Sequence, residues 1–471
     1  MLNSEFKRIF SLSMYKNLKI MLGEMSFLKD FINDDRGDLY PVTAKSEDCK
    51  EYVQNNRYIL TNGTCSRMFC RFFPFASYEL TSAVYNGEAG FIFQLADVKA
   101  EVKRNEKEII FSCGEKVEKI IIPECVTIDS QMTVSCRPSY FDVYLNVNGK
   151  PEHIYSFNEE KFSSSNDHSV FSNSYVSVYA SGSVEIKKAV SYIDNGVSLA
   201  DIRPIKYENG EIMTDRGNVY LTASVRMQAE TFQAVFSWTP STSEFEMTGA
   251  VFYDSGDGKW RNYVAPTFVY DRKKSLWYVW VSAFAHERIL GHACFDGDPR
   301  FGVNVIDVKL MQKADEDTDI TSFRGFPGDE DPDLIFDHKR NKWLMAVCRI
   351  DPRNGQYCYY FFESDSPCDG FEFIGRGNEG SETGGSFVKL NGGLYFVCGN
   401  GFEKHSNYRI YSKNGMTEAK FNYPDGGFRG WGSVMPVKMC GRTRIFFMTF
   451  DRHRGSDYNW SYGNIYCFEL D

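Results

Sequence analysis

Acidic residues stand directly before strand-like apolar segments at three places in the chain. The segment Asp329–Asp331 lies just before Pro332, Asp201 begins the segment Asp-Ile-Arg-Pro, and Glu382 begins Glu-Thr-Gly-Gly-Ser. Adjacent carboxylates repel one another, so we expect at least one raised pKa within Asp329–Asp331. A carboxyl group with a raised pKa is what general acid catalysis at neutral pH requires.

Each of these acidic residues precedes a predicted β-hairpin, in which two apolar runs flank a polar turn. A proline before the first strand suits a strand start, where no ladder N–H is needed. The pattern occurs five times between residues 200 and 471, with first strands that begin near Asp201, Val264, Asp331, Glu382 and Trp431. Strand-built repeats of roughly 40–50 residues are typical of propellers. We therefore predict a five-bladed β-propeller over residues 196–471, with every blade start directed at a central funnel.

The preceding part of the chain has a different pattern. Residues 50–195 contain many short alternating strands, which predicts a β-sandwich or jelly roll, with hairpin turns at the Asn-Gly pairs 86–87 and 148–149. Its strand pattern resembles the concanavalin-like sandwich of lectins and laminin-G modules, without a sugar-binding motif. Residues 1–49 are predicted to form a partly helical packing arm, because apolar residues recur at near-helical spacing. The predicted fold class is all-β.

Composition and charge exclude several function classes. The chain has 471 residues and a net charge of −10, without the basic cluster that nucleic-acid binding needs. Its 13 cysteines form no CxxC pair, which disfavours a disulfide framework or zinc site and favours buried thiols in a reducing compartment. No secretory signal and no membrane-length apolar run is recognisable. We expect a cytoplasmic protein without membrane or nucleic-acid partners; the sequence does not give its oligomeric state.

The acidic segments and their strands resemble the five-bladed propeller glycoside hydrolases, family 43 above all and families 32 and 68 more distantly. In family 43 a first-blade Asp precedes a YYLTAS-like strand, as Asp201 here precedes Val219–Ser224. A third-blade Asp-Pro precedes an apolar strand, as Asp331 does. A fourth-blade Glu precedes a strand, a Gly turn and a Tyr-rich strand, as Glu382 does. The resemblance is confined to the predicted propeller.

This resemblance implies Glu382 as general acid, Asp201 as general base, and Asp331 as the residue that orients the acid and tunes its pKa. It also implies an inverting mechanism, in which the carboxyl groups lie roughly 6.5–9.5 Å apart with water between them. The chain departs from the family in Asp-Ile-Arg-Pro, where Asp usually precedes Pro directly, and in Glu-Thr-Gly-Gly, which replaces Glu-Gly-Pro. Asp215 therefore stays open as the base and Glu379 as the acid.

Aromatic and basic residues near the predicted blade starts are candidates for substrate binding, although each alone could equally be a packing residue. They are Trp431, Trp260, Arg324, Phe326, Arg452 and His453. The loop Arg452–Arg454 could bind a phosphate or carboxylate group, or be solvated. No histidines have the paired spacing of a transition-metal site, so we expect no metal ligands and no cofactor. Calcium is the one ion that the resemblance allows.

The leading prediction is a glycoside hydrolase that acts on an oligosaccharide or glycoside substrate. The linkage would be furanosyl or pentosyl, such as an arabinofuranoside, xyloside or fructofuranoside. A glycoside phosphorylase on the same propeller is an alternative, and the Arg452–Arg454 cluster would then bind phosphate. A non-catalytic carbohydrate-binding protein is a further alternative, which the acids at three blade starts disfavour.

Overall fold

The described part of the chain consists mainly of β-strands, which its many aromatic and β-branched residues favour. The computed structural model describes residues 6–12, 18–27, 40–127, 129–226, 230–261, 263–377, 380–400, 407–420, 431–450 and 464–470. Among them, only a 3₁₀ turn (Glu160–Phe162) and α1 (His168–Phe171) are helical, and no helix is long and apolar enough to cross a membrane. The chain divides into two units, residues 19–194 and residues 1–18 with 195–471.

The N-terminal arm forms strands where the structure describes it. β1 (Phe6–Leu12) pairs with the strand Ile465–Leu470, β2 (Lys19–Met25) pairs with the strand Tyr175–Asp194, and β3 (Val42–Lys45) follows. The helices predicted within residues 1–49 are therefore wrong for these segments. The near-helical spacing was a local signal, and pairing with a distant strand overrides local preference.

The strands of the unit 19–194 belong to one hydrogen-bonded sheet of thirteen strands. After β2 and β3 they are β4 (Lys50–Gln54), β5 (Arg57–Asn62), β6 (Thr64–Arg71), β7 (Ser77–Leu95), β8 (Val98–Arg104), β9 (Glu108–Cys113), β10 (Lys116–Ile121), β11 (Asp129–Arg137), β12 (Tyr140–Val147), β13 (Lys150–Asn158) and β14 (Tyr175–Asp194). The long strands β7 and β14 pair antiparallel, and each also pairs with several shorter strands. The β-sandwich over residues 50–195 stays a prediction.

The two Asn-Gly pairs have different roles. Asn148-Gly149 forms the turn between β12 and β13, with φ of 52° and 83°, as predicted. Asn86-Gly87 lies inside β7 instead, where Gly87 is opposite Gly182 of β14. A Cβ atom on Gly87 would collide with the carbonyl oxygen of Ser181. The predicted turn is wrong there, because this glycine permits a close approach of two strands rather than a reversal of the chain.

Five sheets make up the second unit, and they confirm the five-bladed β-propeller. Blade 1 contains β15 (Ser198–Pro204), β17 (Thr214–Asp215), β18 (Asn218–Arg226), β19 (Glu230–Thr239), β20 (Glu244–Asp254) and β24 (Gly302–Asp307). Blade 2 contains β16 (Lys206–Tyr207), β21 (Val264–Asp271), β22 (Leu276–Ala283), β23 (Ile289–Phe295) and β25 (Lys309–Leu310). Blade 3 contains β26 (Glu330–Asp337), β27 (Lys342–Asp351), β28 (Gln356–Ser364) and β29 (Glu372–Arg376). Blade 4 contains β30 (Glu382–Leu390), β31 (Gly393–Asn400), β32 (Asn407–Ser412) and β33 (Gly415–Lys420); blade 5 contains β34 (Ser433–Met439), β35 (Arg442–Phe450), β36 (Ile465–Leu470) and β1.

The innermost strands form a closed ring. β15, β21, β26, β30 and β34 each contact the next, and β34 contacts β15. Hydrophobic cores fill the spaces between adjacent blades, as where Val235 of blade 1 and Val279 of blade 2 share one cluster. In blade 5, β1 is the outermost strand beside β36. The ring brings the starts of separate hairpins together although they are distant in sequence.

A buried polar group ties the innermost strands to one another. The carboxylate of Asp333 accepts hydrogen bonds from Lys206 (2.7 and 2.8 Å), from the Thr267 hydroxyl (2.7 Å) and from the Phe387 backbone N–H (2.6 Å). The Arg203 guanidinium donates to backbone carbonyls of blades 3 and 4. Together these hydrogen bonds link blades 1 to 4. Losing one partner would leave an uncompensated buried charge, so the group resists displacement of one blade relative to the others.

Candidate active site

The innermost strands of four blades share one backbone irregularity near their start. Each carries one extra residue relative to its partner strand, which is a β-bulge. The bulge residue has a left-handed φ in every case: Asp201 (57°), Ala265 (52°), Asp331 (53°) and Gly384 (61°). These four positions are structurally equivalent, and two of them carry aspartate. Strain of this kind concentrates at functional sites.

The bulge in β26 turns two neighbouring carboxyl groups to the same side. Successive residues of a regular strand point to opposite faces. Here an oxygen atom of Glu330, one of Asp331 and Sγ of Cys348 all lie within 4.8 Å of one another. The preceding Asp329 has a different environment, since it is fully buried and its carboxylate bonds to Arg349 at 2.8 Å.

Asp331 is held by the next blade. Its Oδ2 accepts hydrogen bonds from the Thr383 hydroxyl (2.7 Å) and from the Gly384 backbone N–H (2.8 Å). Burial raises the pKa of Asp331, and the negative charge of Asp201 raises it further. The two hydrogen bonds and the positive charge of Arg203 oppose this shift without cancelling it. The predicted rise in pKa within Asp329–Asp331 is confirmed, but its main cause is burial rather than repulsion.

Asp201 and Glu330 complete the group. Asp201 is 9% exposed, and Nη2 of Arg226 lies 3.6 Å from its Oδ2. Glu330 is partly exposed. Burial raises its pKa to about 8, the charges of Asp331 and Asp201 act in the same direction, and Arg288 and the Tyr357 hydroxyl act against it. Asp201, Glu330 and Asp331 together are called the carboxyl cluster below.

Glu382 faces a different environment. Its side chain is fully buried, its Oε2 accepts a hydrogen bond from the Tyr359 backbone N–H (3.0 Å), and its Oε1 accepts one from the Tyr411 hydroxyl. Nη1 of Arg409 lies 3.5 Å from Oε1. Burial raises the pKa of Glu382, and these three contacts oppose the rise. The structure therefore brings Asp201 and Asp331 together, but directs Glu382 between blades 3 and 4.

The position of Glu382 follows from its distance to the bulge. Gly384 is equivalent to Asp331, so Thr383 is equivalent to Glu330 and Glu382 to Asp329. Glu382 and Asp329 are accordingly both fully buried and both face an arginine. A shift of one residue along a strand moves a side chain to the opposite face. In Glu-Thr-Gly-Gly the threonine takes the place that would face the cluster.

The alternative acids lie apart from the cluster or outside the described residues. Asp215 is exposed on β17, and its charge acts on Tyr220 and Arg300. Asp201, which acts on Asp331, is thus the better placed of the two candidate bases. Glu379 lies outside the described residues.

The residues predicted to bind substrate have mixed positions. Trp431 is 3% exposed, its ring packs on Arg203 at 4.7 Å, and its indole N–H donates to the carbonyl of Ile202. Trp260 is partly exposed and stacks on Phe252 of β20. Their roles in substrate binding stay predictions.

Two further candidates surround a buried arginine. Arg324 is exposed, and its carbonyl oxygen accepts a hydrogen bond from Arg349 (3.0 Å). The ring of Phe326 packs on the guanidinium of Arg349 at 4.2 Å. Arg452 and His453 lie outside the described residues. The binding roles of all four stay predictions.

Two sets of potential metal ligands occur within the described part of the chain. They are Glu330, Asp331 and Cys348, and Cys49, Glu51 and Cys65. Calcium takes roughly six to eight oxygen ligands, and each set contains one buried thiol whose pKa burial raises. In the second set Glu51 is already bonded to Arg67 (2.9 Å) and Lys45 (2.6 Å). We assign no metal to either set, and calcium stays a prediction.

Sequence reasoning missed several residues around the cluster. Arg226, Arg288 and Tyr357 reach it from separate elements, and no spacing in the sequence connects them. Glu330 was within the acidic segment but received no role. One available signal was the acidic run itself, because a bulge next to proline can turn two successive side chains the same way. Another signal was the replacement of Glu-Gly-Pro by Glu-Thr-Gly-Gly, because it changes which residue stands beside the bulge in blade 4.

Comparisons with known proteins give structural likeness alone. No protein-family model matches the chain, and no curated protein is significantly similar to it. Similar solved structures include a GH43 β-1,3-galactosidase with galactodeoxynojirimycin, at 9% identity and a TM-score of 0.40, over 57% of this chain and 89% of that chain. RS223-β-xylosidase has 14% identity and a TM-score of 0.39, and the match covers 58% of this chain and 92% of that chain. A family 117 glycoside hydrolase from the marine bacterium Zobellia galactanivorans has 12% identity and a TM-score of 0.40, and the match covers 58% of this chain and 84% of that chain.

Proposed function

We propose that the chain is a glycoside hydrolase whose active site is the carboxyl cluster at the starts of β15 and β26. The observation that carries this proposal is the convergence of Asp201, Glu330 and Asp331 from two non-adjacent blades. Glycoside hydrolysis needs a protonated carboxyl group at the leaving oxygen and a second, ionised one. Carboxyl groups whose environments push their pKa values apart supply both forms at one pH.

Asp201 is proposed as the general base that deprotonates the attacking water, with Arg226 orienting its carboxylate. Asp331 is proposed to orient the acid and, through its charge, to raise the pKa of that acid. The proposed mechanism is inverting, in which carboxyl groups roughly 6.5–9.5 Å apart leave room for water. The acid role that the resemblance implies for Glu382 stays a prediction, and the full burial of that side chain favours a different donor.

The proposed substrate is an oligosaccharide or glycoside with a furanosyl or pentosyl linkage, such as an arabinofuranoside, xyloside or fructofuranoside. The order of the motifs at Asp201, Asp331 and Glu382, which resembles family 43, supports this preference. A hydrolase requires a carboxyl group with a raised pKa beside a second carboxyl group, and a protein that only binds carbohydrate does not, so the carboxyl cluster favours the hydrolase.

A panel of nitrophenyl glycosides and of arabinan, xylan and fructan oligosaccharides tests the proposal. We expect hydrolysis of at least one furanoside or pentoside, with proton NMR detecting the inverted anomer as first product. Asp201→Asn should abolish turnover on every substrate. Asp215→Asn is the matched control, since it removes an exposed acid from the same blade, and it should retain turnover. A wild-type protein that hydrolyses no member of the panel would contradict the proposal.

A glycoside phosphorylase is the second candidate, because two arginines flank the cluster. Arg226 lies 3.6 Å from Asp201, and the positive charge of Arg288 acts on Glu330. Arginine binds phosphate well through its planar donor fork. Turnover that requires inorganic phosphate and releases a sugar phosphate would favour this candidate over hydrolysis.

A further inference from the structure

We infer that Glu330, rather than Glu382, donates the proton to the leaving glycosidic oxygen. This inference rests on the proposed function and names the missing acid of that same site. The β26 bulge turns Glu330 toward the other carboxyl groups, whereas Glu382 is turned away from them, and this difference is the basis of the inference.

The geometry separates the two glutamates. The β26 bulge places a carboxyl oxygen of Glu330 within 4.8 Å of one of Asp331, and Glu330 remains partly exposed. Glu382 is fully buried, and it accepts hydrogen bonds from the Tyr359 backbone N–H and the Tyr411 hydroxyl. A general acid must come within hydrogen-bond reach of the substrate oxygen that it protonates. Glu330 is the more exposed of the two, whereas Glu382 would first have to leave its three partners.

The repeat of the bulge supports the same assignment. The residues directly before the bulge residue in blades 1 to 4 are equivalent, and the structure describes all of them. They are Ala200, Val264, Glu330 and Thr383. One of the four positions therefore carries a carboxyl group. In blade 4 the same position carries Thr383, whose hydroxyl hydrogen-bonds Asp331 and so supports the cluster without supplying a proton.

The groups that face Glu330 favour its protonated form at neutral pH. Asp331 on its own strand and Asp201 on β15 are acidic, and the thiol of Cys348 on β27 is buried with a raised pKa. Arg288, from the turn before β23, and Tyr357 on β28 act in the opposite direction. With burial as the largest influence, the pKa of Glu330 rises to about 8.

Backbone strain positions the opposing arginine. Glu287 and Arg288 both have left-handed φ values, 56° and 60°, and such a conformation is strained for a residue that is not glycine. The guanidinium that this turn presents donates a hydrogen bond to the Tyr357 hydroxyl (3.0 Å). Arg288 and Tyr357 can therefore hold the carboxylate of Glu330 after the proton has left.

The proposed step balances as a hydrolysis. Glu330 gives its proton to the glycosidic oxygen while the bond from that oxygen to the anomeric carbon breaks, and the aglycone leaves as an alcohol. Water attacks the anomeric carbon and gives its proton to Asp201. Solvent then returns a proton to Glu330 and removes one from Asp201, so the net reaction consumes one water molecule.

The test compares Glu330→Gln and Glu382→Gln in the full chain. The substrates are the dinitrophenyl and methyl arabinofuranosides, or the corresponding xylosides if the panel selects xylose. For Glu330→Gln we expect kcat/KM to fall on the order of 10²–10⁴-fold on the methyl glycoside, and by less than about tenfold on the dinitrophenyl glycoside, which needs little protonation. The decline of kcat/KM toward high pH should disappear in this variant. Glu330→Asp, which keeps a proton donor, should retain that decline at a lower rate.

Glu382→Gln should show no such dependence on the leaving group, and thermal melting separates any loss of folded protein from a loss of chemistry. The inference is overturned if Glu382→Gln shows the leaving-group dependence and Glu330→Gln does not, or if Glu330→Gln loses equally on both substrates. Failure of the proposed function is distinguishable from these outcomes, because the wild type itself would then be inactive on both substrates.

Discussion

The hydroxyl of Thr383 donates a 2.7 Å hydrogen bond to Oδ2 of Asp331, and this bond joins blade 4 to blade 3 at the carboxyl cluster. Thr383→Val keeps the shape of the side chain and removes the donor. We expect kcat to fall by about 10–100-fold with little change in KM, because a hydrogen bond to a charged group contributes about 1.5–3 kcal/mol. Thr383→Ser retains the hydroxyl and should stay close to wild type. Steady-state kinetics on one substrate measures this, and an equal loss in both variants would contradict the role of the hydroxyl.

The buried ion pair of Asp329 and Arg349 should be essential for stability. Asp329→Asn leaves the Arg349 guanidinium buried without its carboxylate partner, so we expect a loss of about 3–5 kcal/mol in the free energy of unfolding. The matched control is Asp257→Asn. This residue pairs with Arg261 but its side chain is 45% exposed, and exposed pairs contribute about 0–1 kcal/mol. Urea unfolding of both variants measures the difference, and similar losses would refute the distinction.

The stability of the chain should depend on pH through Glu330. Its pKa in the folded chain rises from 4.5 to about 8. The folded state then binds this proton more tightly than the unfolded chain, so the contribution of Glu330 to stability declines as pH rises across that range. Glu330→Gln cannot ionise, and it should be more stable than wild type above the folded pKa. Urea unfolding at several pH values on both sides of that pKa measures the crossover.

Glu211→Gln is the control for this titration. Hydrogen bonds from Lys438 and Arg272 lower the pKa of Glu211, so its contribution to stability is present above the unfolded pKa and is lost as pH falls. The Glu211→Gln variant should be less stable than wild type at neutral pH, and the difference should vanish in acid. A similar pH dependence in the two variants would contradict the assignment.

Trp431 should act in the fold. Its indole N–H donates to the carbonyl of Ile202 and its ring packs on Arg203. Trp431→Phe should lower the free energy of unfolding by about 1 kcal/mol for the lost hydrogen bond, with KM nearly unchanged. A large rise in KM at unchanged stability would instead support the sugar contact predicted from the sequence. Thermal melting and steady-state kinetics on the same preparation distinguish the two.

The sequence predicts the fold best where the residues of a single hairpin contain the whole pattern of alternation and turn. The apolar runs after Asp201 and Asp331 predict strands, and their repetition predicts the blades, because alternation and turn residues are local properties. Glu382 was assigned to the funnel by the same logic. Its actual direction depends on the bulge at Gly384, which the alternation of apolar residues does not mark and which only the departure to Glu-Thr-Gly-Gly indicates. Arg226 and Tyr357 belong to strands that meet the cluster only when the ring has closed, so local patterns could not reveal them.

The pairing of β1 with β36 has a consequence for how this chain folds. Blade 5 is complete only when strands from opposite ends of the sequence lie side by side, so the outer edge of this blade forms through one of the longest-range pairings in the chain. Contacts between residues far apart in sequence slow folding, since loop-closure entropy is lost before the contact stabilises anything. During synthesis the first four blades can form while β1 waits for its partner. The unpaired edge of β1 would then be open to strands of other chains, so refolding at high dilution should improve the yield of folded protein.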